Sequence, residues 1–176
     1  MTPFRKIFVL VFTLLTLTLP SCGPKKKIAK AMIQSASGSS LTGEATFEES
    51  GDEVKMTLTV KGATPGTHAV HLHENGDCSA SDATSAGGHW NPTHESHGKR
   101  AGDGAFHSGD IANLEVGADG TGKIEVSASD WTIGGAPETD VIGKAVIIHA
   151  SADDFVSQPS GNAGAREGCG VVSQTE

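Results

Sequence analysis

Two histidines separated by one residue, His71 and His73, carry the first chemical signal in this sequence. They lie in the stretch GTHAVHLHE at 66–74, which we predict to be a β-strand. Because side chains alternate between the two faces of a strand, both imidazoles point one way, while Val70 and Leu72 point the other way into a core. Such a pair can chelate a metal ion. The alternative is two polar side chains on the solvated face of a strand.

Histidine is concentrated in one part of the chain. Seven of the eight histidines lie between His68 and His107, and the eighth is His149. A uniform scatter would not group them in this way. The ligand-capable residues in and around this region are His71, His73, His89, His97, His107, Asp110, His149, Asp153 and Asp154. This inventory favours a metal site over a solvated strand face.

Length and composition narrow the class of protein. The 176 residues suffice for one domain with a sizeable core. Glycine is abundant at 23 residues, aromatics make up 5% and tyrosine is absent, which indicates many turns and short strands. The formal charge of −8 argues against a nucleic-acid partner.

The N-terminus has the pattern of an export signal. Arg5 and Lys6 precede an apolar run at 7–19 that is too short to span a membrane comfortably. LPSC at 19–22 resembles a bacterial lipobox, with a proline at the second position. We therefore predict a lipoprotein signal peptide over 1–21 and lipidation of Cys22. The alternative is plain signal cleavage nearby that leaves Cys22 free.

The segment 22–28, which contains GPKKK, is predicted to be the lipidated cysteine with a short tether, and 29–176 the folded domain. Its lysines either lie near anionic lipid or are simply solvated. Removing 1–21 leaves 11 basic against 21 acidic residues, a net charge of −10. The mature protein is expected in the periplasm or anchored to the outer membrane of a bacterium.

Export places the two remaining cysteines in an oxidising compartment. Cys78 and Cys169 are then an even pair, for which a disulfide is the expected state. It would close a loop of about 90 residues and stabilise the fold by about 4–5 kcal/mol.

Period-two alternation predicts strands along most of the chain. The clearest is 54–60, where Val54, Met56, Leu58 and Val60 share one face. The predicted strands cover 28–36, 41–49, 54–60, 66–74, 111–116, 123–128, 145–149 and 169–172. Irregular sequence fills 75–110 and 151–168, and no helix is indicated. These features predict an all-β sandwich or barrel with two long functional loops.

The chain resembles the copper/zinc superoxide dismutase family, in an exported bacterial lipoprotein form. The matching motifs occur in the family's order: HAVHLHE, GDC, SAGGHWNP, HG, HSGD, IIHASADD and GNAGAREGCG. With flanking strands, the match extends over roughly residues 29–174. The resemblance implies an eight-stranded Greek-key β-sandwich or flattened barrel.

The resemblance also implies two metal sites that share one histidine. The implied copper ligands are His71, His73, His89 and His149, and the implied zinc ligands are His89, His97, His107 and Asp110. Asp153 would link one histidine of each site, Arg166 would line the copper channel, and Cys78–Cys169 would be the disulfide. Imidazole suits both metals, and three histidines with one aspartate form a closed set for a structural zinc.

The implied activity is dismutation of superoxide to oxygen and hydrogen peroxide, with His89 and Arg166 as the catalytic residues. The implied cofactors are copper and zinc, and the expected partners are superoxide and a membrane reached through the lipid on Cys22. The family allows a monomer or a homodimer. The alternative is a non-catalytic periplasmic lipoprotein that binds copper or zinc.

Two histidines and the second loop depart from the ligand pattern. We expect His68 to be structural and His94 to be a solvated loop residue. The SQPS stretch at 157–160 carries no charge, so the candidate groups for attracting an anion are the metals, Arg166 and two loop residues, Lys99 and Arg100.

Overall fold

The computed structural model describes residues 26–175, which form an all-β fold. The predicted signal peptide over 1–21 and the predicted lipidation of Cys22 lie outside the described residues. The strands are β1 (Lys27–Ser35), β2 (Thr42–Ser50), β3 (Glu53–Lys61), β4 (Gly66–His73), β5 (Asp110–Val116), β6 (Gly122–Ala128), β7 (Ala145–His149), β8 (Arg166–Val171) and β9 (Ser173–Gln174). A single 3-10 turn, Thr84–Ala86, interrupts the first long loop.

The strands close into an antiparallel barrel. Their order is β2-β3-β6-β5-β4-β7-β8-β1, and β1 pairs back onto β2 to complete the circle. Neighbours such as β3 with β6 and β4 with β7 are not consecutive in the chain, so connections cross between strands. The predicted eight-stranded barrel with two long loops is confirmed, and β9 adds a two-residue extension beside β1.

The interior of the barrel is filled by alternate residues of the strands. On β3 the four residues predicted to share a face, Val54, Met56, Leu58 and Val60, are all buried. Phe47 of β2 packs against Trp131 from the connection before β7, with ring centroids 6.0 Å apart. A barrel so filled holds no internal site, so the long loops must build any functional site on the outside.

Strands β4 and β7 are buried on both faces. Val70 and Leu72 face the barrel core, while Ile147 of β7 belongs to a second apolar cluster beneath the first long loop. β-Bulges interrupt the pairing at Val70/His71 and at Ile148/His149. Bulges re-aim side chains locally, and here each lies beside a histidine.

The N-terminal boundary differs from the predicted one. Strand β1 begins at Lys27, within the segment 22–28 that the sequence predicts to be a tether. The extension follows from pairing with β2, because Lys27 lies opposite Glu49 and its Nζ is 2.9 Å from Glu49 Oε1. Within residues 26–175, no helix has the length and apolar character needed to cross a membrane.

Candidate metal centre

Four histidines from three parts of the chain meet on the outer face of β4 and β7. His71 and His73 project from β4, His149 ends β7, and His89 comes from the first long loop. A β-bridge between His73 and His89 brings that loop against the strand. One ring nitrogen of each histidine lies within 4.8 Å of those of the other three. The prediction that His71 and His73 share a face is confirmed, since Leu72 between them packs in the core.

Three backbone hydrogen bonds fix the relative position of the segments that carry these ligands. The N–H of Leu72 donates to the carbonyl of Gly109, that of Gly109 to Trp90, and that of Trp90 to Leu72, at 2.8, 2.8 and 2.9 Å. Leu72 lies between two of the histidines, Trp90 follows His89, and Gly109 precedes Asp110. This ring of backbone bonds, here called the Leu72–Trp90–Gly109 ring, sets the spacing of the ligands without using their side chains.

One nitrogen of each strand histidine is occupied by an acceptor outside the cluster. His71 Nε2 lies 2.8 Å from Asp153 Oδ2, His73 Nδ1 lies 2.9 Å from the carbonyl of Gly87, and His149 Nδ1 lies 3.3 Å from that of Gly164. Because these oxygens only accept, the facing nitrogens carry the protons and the other nitrogen of each ring keeps a lone pair.

The nitrogens with free lone pairs are the ones that converge. His71 Nδ1, His73 Nε2, His149 Nε2 and His89 Nε2 are all buried and lack a hydrogen-bond partner. Buried polar atoms without a partner are rare unless something else satisfies them. Four imidazole nitrogens suit copper, so the donor set fits that metal.

Burial keeps the imidazoles of His71, His73 and His149 neutral. Loss of solvation lowers the pKa of His73 to about 2 and that of His149 to about 4, and it lowers the pKa of His71 well below its ordinary value. The mutual repulsion of the clustered rings acts in the same direction. A neutral ring is the form that binds a metal ion.

A second cluster shares His89 with the first. Asp110 Oδ1 lies 2.8 Å from His89 Nδ1, 3.0 Å from His97 Nδ1 and 3.3 Å from His107 Nδ1. A tetrahedral zinc with bonds of about 2.0–2.1 Å has ligand-to-ligand edges of about 3.3 Å, so these atoms fit one zinc ion. His97 Nδ1 is near Asp110 yet makes no hydrogen bond, which indicates a lone pair aimed at the centre of the cluster.

The other oxygen of Asp110 is held by the backbone. Asp110 Oδ2 accepts hydrogen bonds from the N–H groups of Gly98 and His107, at 3.0 and 2.8 Å. These bonds and the one from His89 outweigh the effect of burial and depress the pKa of Asp110 far below its ordinary value. The carboxylate is therefore ionised and presents Oδ1 to the cluster.

Asp153 links the two clusters from behind. Its Oδ2 accepts from His71 Nε2 and its Oδ1 accepts from His97 Nε2 at 2.9 Å. Asn113 holds the backbone of Asp153 on both sides, by accepting from its N–H at 2.8 Å and donating to its carbonyl at 3.0 Å. The structure thus places Asp153 between His71 and His97, whereas Asp154 caps the turn at 156–157.

Arg166 lines a cleft of about 390 Å³ that opens onto the four-histidine cluster. Its guanidinium donates to the carbonyls of Ala83 and Gly87, both at 2.7 Å. The disulfide between Cys78 and Cys169 is present as predicted, and it ties the start of the same loop to β8. Arg166, the first residue of β8, is thereby held against the loop.

The remaining predicted residues divide into structural and solvated ones. Both ring nitrogens of His68 lie 2.7 Å from backbone carbonyls, those of Thr64 and His149, so this histidine is structural, as expected. His94 is exposed and belongs to neither cluster. Trp131 is buried and donates from its indole N–H to the carbonyl of Ser108 at 2.8 Å.

Arg100 is not the free steering charge that the sequence suggests. Its side chain is 9% exposed and is paired with Asp130. The guanidinium also donates to the carbonyls of Ser108 and Asp110, and it lies 4.8 Å from the ring of Trp131. Arg100 therefore fastens the turn before Asp110 to the barrel, while Lys99 remains exposed. Nothing in the local sequence around Arg100 signals this role, because its partner Asp130 is 30 residues away.

The sequence of this chain is similar to those of proteins from one known family. The family model for copper/zinc superoxide dismutase matches residues 41–172. A superoxide dismutase [Cu-Zn] of Deinococcus radiodurans is 34% identical over 96% of this chain and 97% of its own length. One from Caulobacter vibrioides is 38% identical over 82% of this chain and 84% of its own.

A solved structure shows the same fold. It is a double mutant of a superoxide-dismutase-like protein from Bacillus subtilis. The TM-score is 0.72 at 35% identity, covering 81% of this chain and 95% of the other.

Proposed function

This chain belongs to the copper/zinc superoxide dismutase family, and we propose that its two clusters divide between the two metals. The protein is an oxidoreductase that converts two superoxide anions and two protons to oxygen and hydrogen peroxide, with copper and zinc as cofactors. In our proposal His71, His73, His89 and His149 hold copper. His89, His97, His107 and Asp110 hold zinc.

The opposed nitrogens of His89 carry this assignment. Its Nε2 belongs to the four-nitrogen cluster and has no hydrogen-bond partner, while its Nδ1 faces the carboxylate of Asp110. One ring therefore offers a lone pair to each site once it is deprotonated. The cluster with a carboxylate is a closed four-ligand set suited to zinc, and the all-nitrogen cluster borders the open cleft, as a substrate-binding metal requires.

Bound copper supplies a one-electron redox cycle, and bound zinc supplies a fixed positive charge. The protein's own residues bring in the anion and move protons. We propose that Arg166 binds superoxide, because its guanidinium has five N–H groups and spends two of them on Ala83 and Gly87. His89 lines the cleft, and its Nε2, when it is not bound to copper, could hold a proton and release it to the reduced product.

A non-catalytic metal-binding lipoprotein is the alternative function. Nothing among the described residues favours it. A protein that only stores copper has no use for an arginine held at the mouth of the cleft by two backbone carbonyls. Arg166 therefore supports the enzyme over the storage protein.

Metal analysis of two single variants tests the assignment. His73→Ala removes a ligand of the four-histidine cluster only, and His97→Ala removes one of the other cluster only. We expect the first to lose copper and keep zinc, and the second to lose zinc. A protein that lost the opposite metal in either case would contradict the assignment.

We further propose that residues 1–21 are removed on export and that Cys22 carries a lipid. Because β1 begins at Lys27, the spacer ends at 26 and the catalytic domain begins at 27 instead of 29. The LPSC stretch at 19–22 supports this proposal. Since β1 begins at Lys27, only 23–26 separate the lipid from the barrel, a reach of about 15 Å. Labelling with a fatty acid in cells should mark the parent protein but not Cys22→Ser. We expect the labelled parent to be found in the periplasm on a membrane.

We propose a monomer or a small homodimer. Large apolar side chains exposed on the described surface are limited to Met32, Val156 and Val171. An obligate oligomer generally needs a wider apolar face. Sedimentation of the lipid-free protein distinguishes the two states.

A further inference from the structure

One stretch of the first long loop, residues 95–98, is held by hydrogen bonds to side chains instead of to other backbone groups. In the part of the chain that the structure describes, residues 95–98 make no backbone-to-backbone hydrogen bonds. Asn91 pairs with both the N–H and the carbonyl of Glu95, at 3.1 and 2.9 Å. Gly98 donates to Asp110 instead. The position of His97 in space therefore depends on whatever holds its own backbone.

Gln158 holds the backbone of His97 in the same way. Its Oε1 accepts from the N–H of His97 at 2.9 Å, and its Nε2 donates to the carbonyl of His97 at 2.9 Å. The amide thus acts like the edge of a neighbouring strand, with one donor and one acceptor matched to one residue. Two such hydrogen bonds fix both the position and the orientation of the His97 backbone.

The same loop holds the ring of His97 from the other side. Asp153 accepts from its Nε2, and Gly161 passes so close that an added Cβ would lie 2.8 Å from that nitrogen and 1.8 Å from Asp153 Oδ1. Gly161 has a φ of +64°, which also favours glycine. One short segment, 153–161, therefore contacts His97 at both its ring and its backbone.

That segment also forms part of the wall of the cleft. Pro159 and Ser160, which directly follow Gln158, line the cleft together with Arg166 and His149. A shift of Gln158 would therefore move Pro159 and Ser160 relative to the other residues that line the cleft. The backbone of a zinc-side ligand and the wall of the copper-side cleft are thus joined through one amide.

We propose that Gln158 is a positioning residue that sets the geometry of His97 and, through the residues beside it, the shape of the copper-side cleft. This inference rests on the metal assignment proposed above. Loss of the amide should weaken metal binding at the His97 cluster and change the binding of small anions in the cleft, even though Gln158 touches neither metal nor substrate.

Two substitutions remove the amide in different ways. Gln158→Glu keeps the size and one acceptor but places a carboxylate oxygen against the carbonyl of His97. Gln158→Met keeps the length and removes both hydrogen bonds. Gln34→Glu and Gln34→Met are the matched controls, because Gln34 is an exposed residue of β1 outside both clusters.

The test uses Co²⁺ bound at the His97 cluster and azide bound at the copper of the mature protein. The absorption bands of Co²⁺ report the ligand geometry, and chelator competition reports its affinity. We expect both Gln158 variants to bind Co²⁺ about 10- to 100-fold more weakly than the parent, the range for loss of an outer partner of a metal ligand, with shifted bands and an altered azide affinity.

The Gln34 variants should match the parent in all three measurements. Gln158 variants that melt at a lower temperature but keep parental Co²⁺ bands and azide affinity would overturn the inference, because the amide would then be merely structural. If one Gln158 variant fails to fold, the other decides. A parent protein that binds no Co²⁺ would instead contradict the metal assignment itself.

Discussion

At the scale of the residue, Asp153 is the group on which both clusters depend. Its two carboxylate oxygens accept from His71 and His97, one from each cluster, and its backbone is locked by Asn113. A carboxylate can accept both hydrogen bonds at once, which sets the tautomer and orientation of two rings. Its burial at 4% exposure makes these bonds difficult for water to replace.

We predict that Asp153→Asn lowers the affinity for both metals by about 10- to 100-fold. The asparagine NH2 would face a ring N–H, so one of the two histidines would lose its acceptor and rotate. Competition with a chelator for copper and for zinc measures the effect. The control is Asp154→Asn, which changes the neighbouring residue but preserves an acceptor for the capped turn at 156–157.

Asp154→Asn should keep both affinities near the parental values. Equal losses in the two variants would show that a general disturbance of the loop, and not the link between His71 and His97, controls metal binding.

The residues of the two clusters could be identified from the sequence because they lie in short motifs that resemble those of the family. His71 and His73 are two apart on a strand, and His107 and Asp110 are three apart in a turn. Gln158 and Arg100 could not be predicted in their observed roles. Gln158 meets His97 across 61 residues and Arg100 meets Asp130 across 30, and neither distance leaves a trace in local periodicity.

At the scale of the element, the Leu72–Trp90–Gly109 ring joins β4 to the middle and to the end of the first loop. Gly109 has no space for a side chain, since an added Cβ would lie 2.2 Å from the carbonyl oxygen of Leu72 and 2.9 Å from the nitrogen of Trp90. These contacts are with backbone, which cannot yield as the end of a flexible side chain can. The requirement for glycine here is therefore steric.

We predict that Gly109→Ala destabilises the protein by about 3 kcal/mol, the scale of overpacking at a rigid site, and weakens both metal sites. Urea unfolding followed by circular dichroism measures the stability. Gly104→Ala is the control in the same loop, because an added Cβ there meets nothing within 4 Å. A Gly109→Ala protein as stable as the Gly104→Ala protein would contradict the assigned role of the ring.

The strands could be predicted more fully than the loops. Alternation in β3 and the apolar run in β7 reflect burial on one and on two faces, so the sequence predicts both strands to within about one residue. Strand β9 has only Ser173 and Gln174, both exposed, so it carries no apolar pattern to detect. The path of the first loop depends on Cys78–Cys169 and on backbone bonds between distant residues, which composition does not encode.

At the scale of the whole molecule, an acidic protein must attract an anion. The full chain carries a formal charge of −8, and Arg100 is committed to Asp130. Arg166 and the bound metals remain as the positive groups beside the cleft. Any steering must therefore be short-ranged and focused on the cleft.

We predict that the rate of superoxide consumption falls as ionic strength rises from about 0.01 M to about 0.15 M, over which the screening length shrinks from about 30 Å to about 8 Å. The fall should be smaller in Arg166→Ala, which also lowers the rate itself. Lys61→Ala is the control, since it removes one exposed positive charge from β3 at a distance from the cleft. A parental rate that is flat in salt would count against steering.

Stability should depend on pH in a direction set by the buried histidines. The pKa is lowered to about 4 in His149 and about 2 in His73, so below the ordinary value near 6.5 the unfolded chain binds protons that the folded chain does not. Folding of the metal-free protein should therefore weaken as pH falls from about 6.5 to about 4, on the order of 3 kcal/mol from His149 alone.

His97 is a single group that acts in the opposite sense. Burial lowers its pKa, but the hydrogen bond to Asp153 and the charge of Asp110 outweigh burial, so the pKa is raised. The urea midpoint of the metal-free protein, measured from pH 7 to pH 4, tests the sum. A midpoint that rose on acidification would contradict the neutral state assigned to the clustered rings.

In our proposal, one shared histidine joins a catalytic copper to a structural zinc on the outside of the barrel. The most direct measurement is the metal content of the mature protein together with its rate of superoxide consumption. We predict one copper and one zinc per chain and rapid dismutation that requires copper. A protein that binds no copper after loading, or that binds both metals and leaves superoxide unconsumed, would contradict the account.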